Sequence, residues 1–368
     1  MRRTAIALVA STVTLSLASC GVLNASSEAG DASPTKGNDI TVGLLLPEKA
    51  NSRYESFDYP IIKKKVESLT KNQGDVDYAN ADASADKQAA QMQQMIDDGI
   101  DVILLDAVDS HAIADGVRKA KDAGIPVIAY DRLAEGPIDA YISFDNSLVG
   151  EVQGRSLVEA LGNGDDPSKK IVMMNGSPTD PNAKQFKAGA LDELTGKVTI
   201  AESYDTKDWK PENAEANMEE AIDKIGADDI AGVYSANDGM AGGIIDALKA
   251  AGVTELPPVT GQDAELAAVQ RIITGEQYMS VYKSYPQEAE AAAEMAVAKV
   301  QGRDIQFDAL TRDQVDSPTA KDIPSQLVPV VALTKNNIKD TVIADDIYQL
   351  SDICTSKLRS ACDEINLG

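Results

Sequence analysis

From residue 39 onward, short runs of β-branched and aliphatic residues alternate with longer stretches in which apolar positions recur every three or four residues. That alternation predicts repeated strand–helix–strand units and parallel sheets. Ile40–Leu46, Val102–Leu105 and Pro126–Tyr130 are continuous apolar runs of strand length, the pattern of strands covered on both faces. Between the first two, Ala85, Ala89, Met92 and Ile96 fall at helical spacing in a segment closed by Gly99. Ile113, Val117 and Ala120 repeat the device before Gly124. The series restarts after Asn146 with a helix near 148–161 and strands at Ile171–Met174, Val198–Tyr204, Ile230–Ala236 and Val259–Gly261. Helices are expected near 213–225 and 239–251. A short helix at 266–273, a strand at Tyr278–Tyr282, an Ala-rich helix near 287–300 and an irregular stretch from 302 to 324 precede a last strand, Val328–Leu333. Two consecutive α/β series of similar length predict two similar lobes.

Composition narrows the chemistry. The 368 residues hold 34 Lys+Arg against 59 Asp+Glu, a formal net charge of −25. Nucleic acid is a poor partner for such a chain, because phosphate backbones are gripped by clustered Lys and Arg. A single His (His111), a single Trp (Trp209) and three Cys leave little material for a metal centre or a His-based triad. Leu46-Pro47-Glu48 follows the first strand where a dinucleotide fold would place glycines, and neither a P-loop nor a Gly-x-Ser-x-Gly elbow occurs. No metal and no cofactor are implied.

The N-terminus has the layout of an export signal. Arg2 and Arg3 precede the uncharged stretch 4–18, which is too short and too interrupted by Ser and Thr to span a bilayer. Leu17-Ala18-Ser19-Cys20 resembles the bacterial lipobox. We therefore expect residues 1–19 to be a signal peptide and Cys20 to carry the lipid. Residues 20–38, rich in Ser, Ala, Gly, Asn and Pro, then form a flexible tether. Cleavage would remove two cations and take the net charge from −25 to −27. The membrane would be touched through lipid only, on the extracytoplasmic side. There Cys354 and Cys362 are expected to form a disulfide that staples the C-terminal tail, free thiols being the other reading.

Ligands of open α/β sheets bind at the carboxyl ends of strands. Here those ends carry Arg53 and Tyr54, Asp131 and Arg132, Asp180 and Asn182, Trp209, Asn237, Asp263 and Lys283. Planar carboxylate, amide and guanidinium groups can grip neighbouring hydroxyls in pairs. An aromatic ring can cover the apolar face of a pyranose. Trp209 and Tyr54 are the candidates for the second role, and the set as a whole points to a polyol.

Ala129-Tyr-Asp-Arg132, Asn175-Gly-Ser-Pro-Thr-Asp-Pro-Asn-Ala183, Trp209-Lys-Pro-Glu-Asn-Ala214, Ser235-Ala-Asn-Asp238, Gly261-Gln-Asp-Ala264 and Val281-Tyr-Lys283 resemble the D-xylose-binding protein family of bacterial ABC sugar importers. The resemblance runs from about residue 40 to 340. It implies a type I periplasmic-binding-protein fold, two doubly wound α/β parallel-sheet lobes joined by three crossover hinge segments. The implied first lobe comprises 39–145 and 284–325, and the second 146–283 and 326–368. By position, Arg53, Asp131, Arg132, Asp180, Asn182, Asn237, Asp263 and Lys283 match hydrogen-bonding sites and Trp209 a stacking one. Tyr54 departs from the family, which has Trp there.

The implied function is a monomeric, lipid-anchored receptor that closes on a monosaccharide, xylose or a related aldose such as glucose, and hands it to an ABC importer permease. No bond is made or broken. A sugar sensor coupled to a membrane signalling protein is the alternative. A glycosidase using two of Asp131, Asp180 and Asp263 is opposed by Arg132 and Lys283, which are expected to keep those carboxylates ionised. Replacing Asp263 with Ala is expected to weaken sugar binding and to change apo stability little.

Overall fold

The structure, a computed structural model, describes residues 36–162 and 164–368. The expected signal peptide, Cys20 and most of the expected tether lie outside the described residues. The last three tether positions are not free: Lys36 N–H donates to Val300 O at 3.1 Å and Gln301 Nε2 to Gly37 O at 2.6 Å. The chain is thus docked on the body before its first strand.

Among the described residues there are twelve strands. In chain order they are β1 (Thr41–Leu46), β2 (Asp75–Asn80), β3 (Val102–Leu105), β4 (Val127–Tyr130), β5 (Ala140–Phe144), β6 (Lys170–Asn175), β7 (Thr199–Asp205), β8 (Ile230–Ser235), β9 (Ser280–Lys283), β10 (Asp313–Val315), β11 (Ile323–Val328) and β12 (Val330–Leu333). The first sheet has the order β10-β11-β5-β4-β3-β1-β2, parallel except at the β10 edge. In the second half β7-β6-β8 is parallel, and β9 pairs antiparallel with β12. Single bridges, Val233 with Val259 and Gln262 with Val281, connect these two groups. The expected strand at 259–261 is therefore an extended stretch held by isolated bridges. Both halves place the carboxyl ends of their parallel strands towards one cleft, where the site lies.

The chain passes from one half to the other three times. Asp145 separates β5 from helix Asn146–Ala160 and caps it through Leu148 N–H at 3.0 Å. Ser284 separates β9 from helix Tyr285–Val300, which packs on helix Tyr59–Leu69 of the first half. Pro329 separates β11, paired with β5, from β12, paired with β9. Residues 326–328, assigned by sequence to the second lobe, thus continue β11 in the first sheet; the break falls at the proline, which has no N–H for a ladder.

Helices Asn146–Ala160 and Pro181–Leu194 pack closely because glycines face each other. A Cβ on Gly150 would sit 2.0 Å from Phe186 O, and one on Gly189 2.0 Å from Ser147 O. Helix Ala85–Asp97 buries Gln88, Met92 and Met95, while Ala89 is exposed. The expected face was rotated because a polar residue occupies the core side. Gln88 satisfies its amide there by donating to Asp106 O at 2.7 Å and accepting from Val108 N–H at 2.8 Å, which fixes the loop after β3. The sequence pattern does not predict β2, β5, β10, β11 or helices Tyr59–Leu69, Pro181–Leu194, Asp304–Leu310, Leu350–Ile353 and Arg359–Glu364.

An apolar cluster joins helix Leu266–Thr274 to the C-terminal residues Leu333, Ile338, Val342, Ile347, Ile353 and Leu367. A disulfide joins Cys354 to Cys362 within it.

Candidate functional site

Fourteen residues line a cavity between the two halves: Glu48, Asn51, Arg53, Tyr54, Asp131, Arg132, Asp180, Asn182, Phe186, Trp209, Asn237, Gln262, Asp263 and Lys283. The ten cleft residues read from the sequence are all among them. The geometry follows from topology: each parallel strand ends in a polar loop at the cleft, so residues far apart in sequence converge there.

Direct bonds cross the cleft. Asn182 Nδ2 donates to Asp131 Oδ1 at 2.8 Å and to its carbonyl at 3.0 Å. Arg132 Nε lies 2.9 Å from Asp180 Oδ2, and Asn51 Nδ2 donates to Asp263 Oδ2 at 2.8 Å. These three links bring the halves together in a closed arrangement.

Arg53 is fully buried and spent on protein partners. Its guanidinium reaches Asp58 at 2.8 Å, Asp131 at 2.7 Å and Glu288 at 2.5 Å, with its centre 4.6 Å from the Tyr285 ring. Its nitrogens are thus occupied by carboxylates, one of which, Asp131, also lines the cavity. Arg53 fixes that carboxylate's orientation. Lys283 Nζ pairs with Asp263 Oδ1 at 2.9 Å and lies 5.1 Å from the Phe144 ring centre. Tyr54 is buried, with its hydroxyl 3.4 Å from Arg132 Nη2.

Trp209 forms one wall. Its indole N–H donates to Asp180 Oδ2 at 3.1 Å, and its ring meets Phe186 edge to face at 6.3 Å. The ring also lies on the backbone of Gly176, where any Cβ would come within 1.9 Å of Trp209 Cη2. Only glycine fits there. Trp209 itself has φ 56° and follows Asp208 at φ 57°; Asp131 (57°) and Asp263 (94°) share this left-handed region. Such conformations cost about 1–3 kcal/mol each and concentrate at ligand sites. Three of the cavity's side chains are therefore aimed by strained backbone.

The electrostatics separate the two cleft carboxylates. Burial would raise the Asp131 pKa, but the Arg53, Lys283 and Arg132 cations outweigh it and hold the carboxyl below its usual range. Asp180 goes the other way: burial raises its pKa more than Arg132 lowers it. The two carboxylates thus shift in opposite directions beside cations, because desolvation is the larger effect at Asp180 and the three cations together are the larger effect at Asp131. Glu48 is raised by burial in the same way, against the pull of Arg132.

Sequence reasoning missed Asn51, Phe186 and Asp106. Asp106 ends β3 as Asp131 ends β4, so the strand-end rule could have found it. It is fully buried, no protein donor reaches either carboxylate oxygen, and Arg132 Nε is 3.5 Å away. Burial drives its pKa well up, again against Arg132. Asn182 Oδ1 and Gln262 Oε1 are buried acceptors likewise without a protein donor. Among the described residues no cluster of metal-ligating side chains occurs, and no helix is long and apolar enough to cross a membrane. His111 is exposed and paired with Glu135 at 2.9 Å, away from the cavity.

Comparison with known proteins agrees with this architecture. The periplasmic binding protein domain matches residues 42–304. The D-xylose-binding periplasmic protein of Escherichia coli is 36% identical over 86% of this chain and 93% of its own length. A multiple sugar-binding periplasmic receptor of Rhizobium radiobacter is 32% identical over 85% and 92%. Among solved structures, an ABC transporter solute-binding protein of Clostridium phytofermentans with bound β-D-glucose superposes with a TM-score of 0.75 at 27% identity, covering 85% of this chain and 99% of that one. A carbohydrate transporter solute-binding protein of Chloroflexus aurantiacus in complex with D-glucose gives 0.73 at 29%, covering 84% and 97%. With its two strand-end clefts closed over one polar cavity, the chain belongs to the periplasmic binding protein family, with the type I fold.

Proposed function

We propose that this protein is the sugar receptor of an ABC importer, capturing a monosaccharide, xylose or a related aldose such as glucose, between its two halves and presenting it to the permease. The observation that carries the reading is the donor and acceptor inventory of the cavity. Carboxylates and amides from both halves converge there, and Asn182 and Gln262 keep an acceptor without a protein donor. Sugar hydroxyls are donors that answer such acceptors. The relatives named for binding xylose or multiple sugars, and the two glucose-bound structures, support the ligand class.

In this reading Asp131, Asp180, Asn182, Asn237 and Asp263 hydrogen-bond the hydroxyls, Arg132 and Lys283 supply charged donors, and Trp209 covers the apolar face. Tyr54 adds a smaller ring opposite. Arg53 positions Asp131. A sugar entering the open cleft would replace the direct cross-cleft bonds by bonds through its hydroxyls, so ligand and closure favour each other. Export and lipid attachment at Cys20 complete the proposal and rest on the sequence pattern of the first twenty residues and the tether.

Isothermal titration with xylose, glucose, galactose, ribose, arabinose and fructose tests it. One saturable site per chain for xylose or glucose is expected. Absence of heat with all six sugars would remove the sugar-receptor reading.

A further inference from the structure

The C-terminal segment after β12 is built onto the second crossover. Lys283 ends β9 and Ser284 carries the chain into the first half's helix Tyr285–Val300. Asp345 holds the residues on both sides of Lys283: its Oδ2 accepts from Tyr282 Oη at 2.5 Å and from Ser284 Oγ at 3.2 Å. Three residues further on, Tyr348 meets Phe57 edge to face at 5.9 Å, and Phe57 stacks on Tyr285 at 5.6 Å. Phe57 belongs to the wide helical turn Tyr54–Asp58 of the first half. Tyr285 in turn donates its hydroxyl to the Asp263 carbonyl. The segment carrying Asp345 and Tyr348 is packed on helix Leu266–Thr274 of the second half, and Gln270 Nε2 donates to Asp352 O at 3.0 Å beside the Cys354–Cys362 disulfide.

We propose that Asp345, with Tyr348, is a positioning residue of the closed state: the disulfide-stapled tail clamps the second crossover and so sets how readily the cleft opens and releases sugar. The proposal rests on the sugar-receptor reading for its ligand, though its mechanical part does not need one. Opening rotates the halves about three crossovers. Asp345 resists rotation at Ser284 directly. The Tyr348–Phe57 contact links a segment fixed to the second half with a turn of the first, so rotation must break or remake it. A contact present in only one of two states shifts their equilibrium by its own free energy. The clamp stabilises the closed state with or without sugar, so its loss speeds release and shifts the sugar-free protein towards the open state.

The test uses the full mature chain. Stopped-flow Trp209 emission gives xylose association and dissociation rates, and small-angle scattering gives the radius of gyration without sugar. In Asp345→Ala and Tyr348→Ala the dissociation rate should rise about fivefold or more, with the association rate within twofold. The sugar-free radius of gyration should increase. Asp345→Asn keeps an acceptor for both hydroxyls and should restore wild-type rates, which a merely structural defect would not. The Cys354→Ser/Cys362→Ser double variant should behave like Asp345→Ala. Should that variant fail to fold, Asp345→Ala and Tyr348→Ala still decide. Wild-type rates and scattering in both Ala variants overturn the proposal. If the wild type binds no sugar, the receptor reading fails, and scattering alone judges the clamp: an unchanged radius overturns it and an increased one supports it.

Discussion

Replacing Asp263 exposes how tightly binding and stability are joined in this cavity. Asp263 is 2% exposed and holds Lys283, itself 3% exposed, at 2.9 Å. It also accepts from Asn51 at 2.8 Å across the cleft. Removing one member of a buried pair leaves the other charge uncompensated and costs about 3–5 kcal/mol. At φ 94°, Ala adds backbone strain of about 1 kcal/mol. Asp263→Ala should therefore lose about 4–6 kcal/mol in apo stability. At roughly 2 °C per kcal/mol for a body of this size, the melting temperature falls by about 8–12 °C. The sequence-level expectation that apo stability would change little is thus replaced by a large effect. Asp263→Asn tolerates positive φ but leaves the Lys283 charge uncompensated in the same way, so it should lose about 3–5 kcal/mol without the added strain, while sugar affinity still drops at least tenfold. Thermal unfolding without sugar, followed by titration at a temperature where both variants are folded, measures the two effects separately. A melting temperature of Asp263→Ala within 1 °C of wild type would refute the assignment of Lys283 to Asp263.

Other perturbations follow from the same geometry. Gly176→Ala must push Trp209 out of its place, and sugar titration should show affinity reduced at least tenfold, about 1.4 kcal/mol or more, with a shifted emission maximum in the free protein. Trp209→Phe keeps a ring but removes the donor to Asp180; calorimetry should show roughly tenfold weaker binding. Asp238 lies beneath the site, accepting from Gln277 and Ser280 at 2.7 Å. Burial is the main cause that pushes its pKa up to about 7, against Arg271. Because the folded value lies above the unfolded one, the folded state holds the extra proton, and stability is lost as pH rises from about 4 towards 7. Melting temperature should fall between pH 5 and 7, and Asp238→Asn should flatten that slope by about 1.4 kcal/mol per pH unit; equal slopes in the two proteins would contradict the reading.

Much of this was legible because parallel strands buried on both faces are written as continuous apolar runs. β1, β3 and β4 match their predicted cores within one residue. Edge strand β2, with the sequence Asp-Val-Asp-Tyr-Ala-Asn, has only one covered side and few apolar residues, so it left no such run. The site was legible through the rule that ligands sit at strand carboxyl ends, which gathers residues 53 to 283 without any contact information. What the sequence could not display was partnership. That Arg53 is consumed by Asp58, Asp131 and Glu288, that Gln88 sits in the core, and that burial raises the Asp180 pKa more than Arg132 lowers it all depend on distances across segments far apart in the chain.

The central claim is that one monosaccharide binds against Trp209 inside the closed cleft. Since the chain has a single Trp, its emission reports that cavity directly. Titration with xylose should give a saturable change in emission at one equivalent per chain, with the same affinity as calorimetry. Saturable calorimetric binding of xylose with the Trp209 emission unaltered would put the sugar elsewhere and contradict the account.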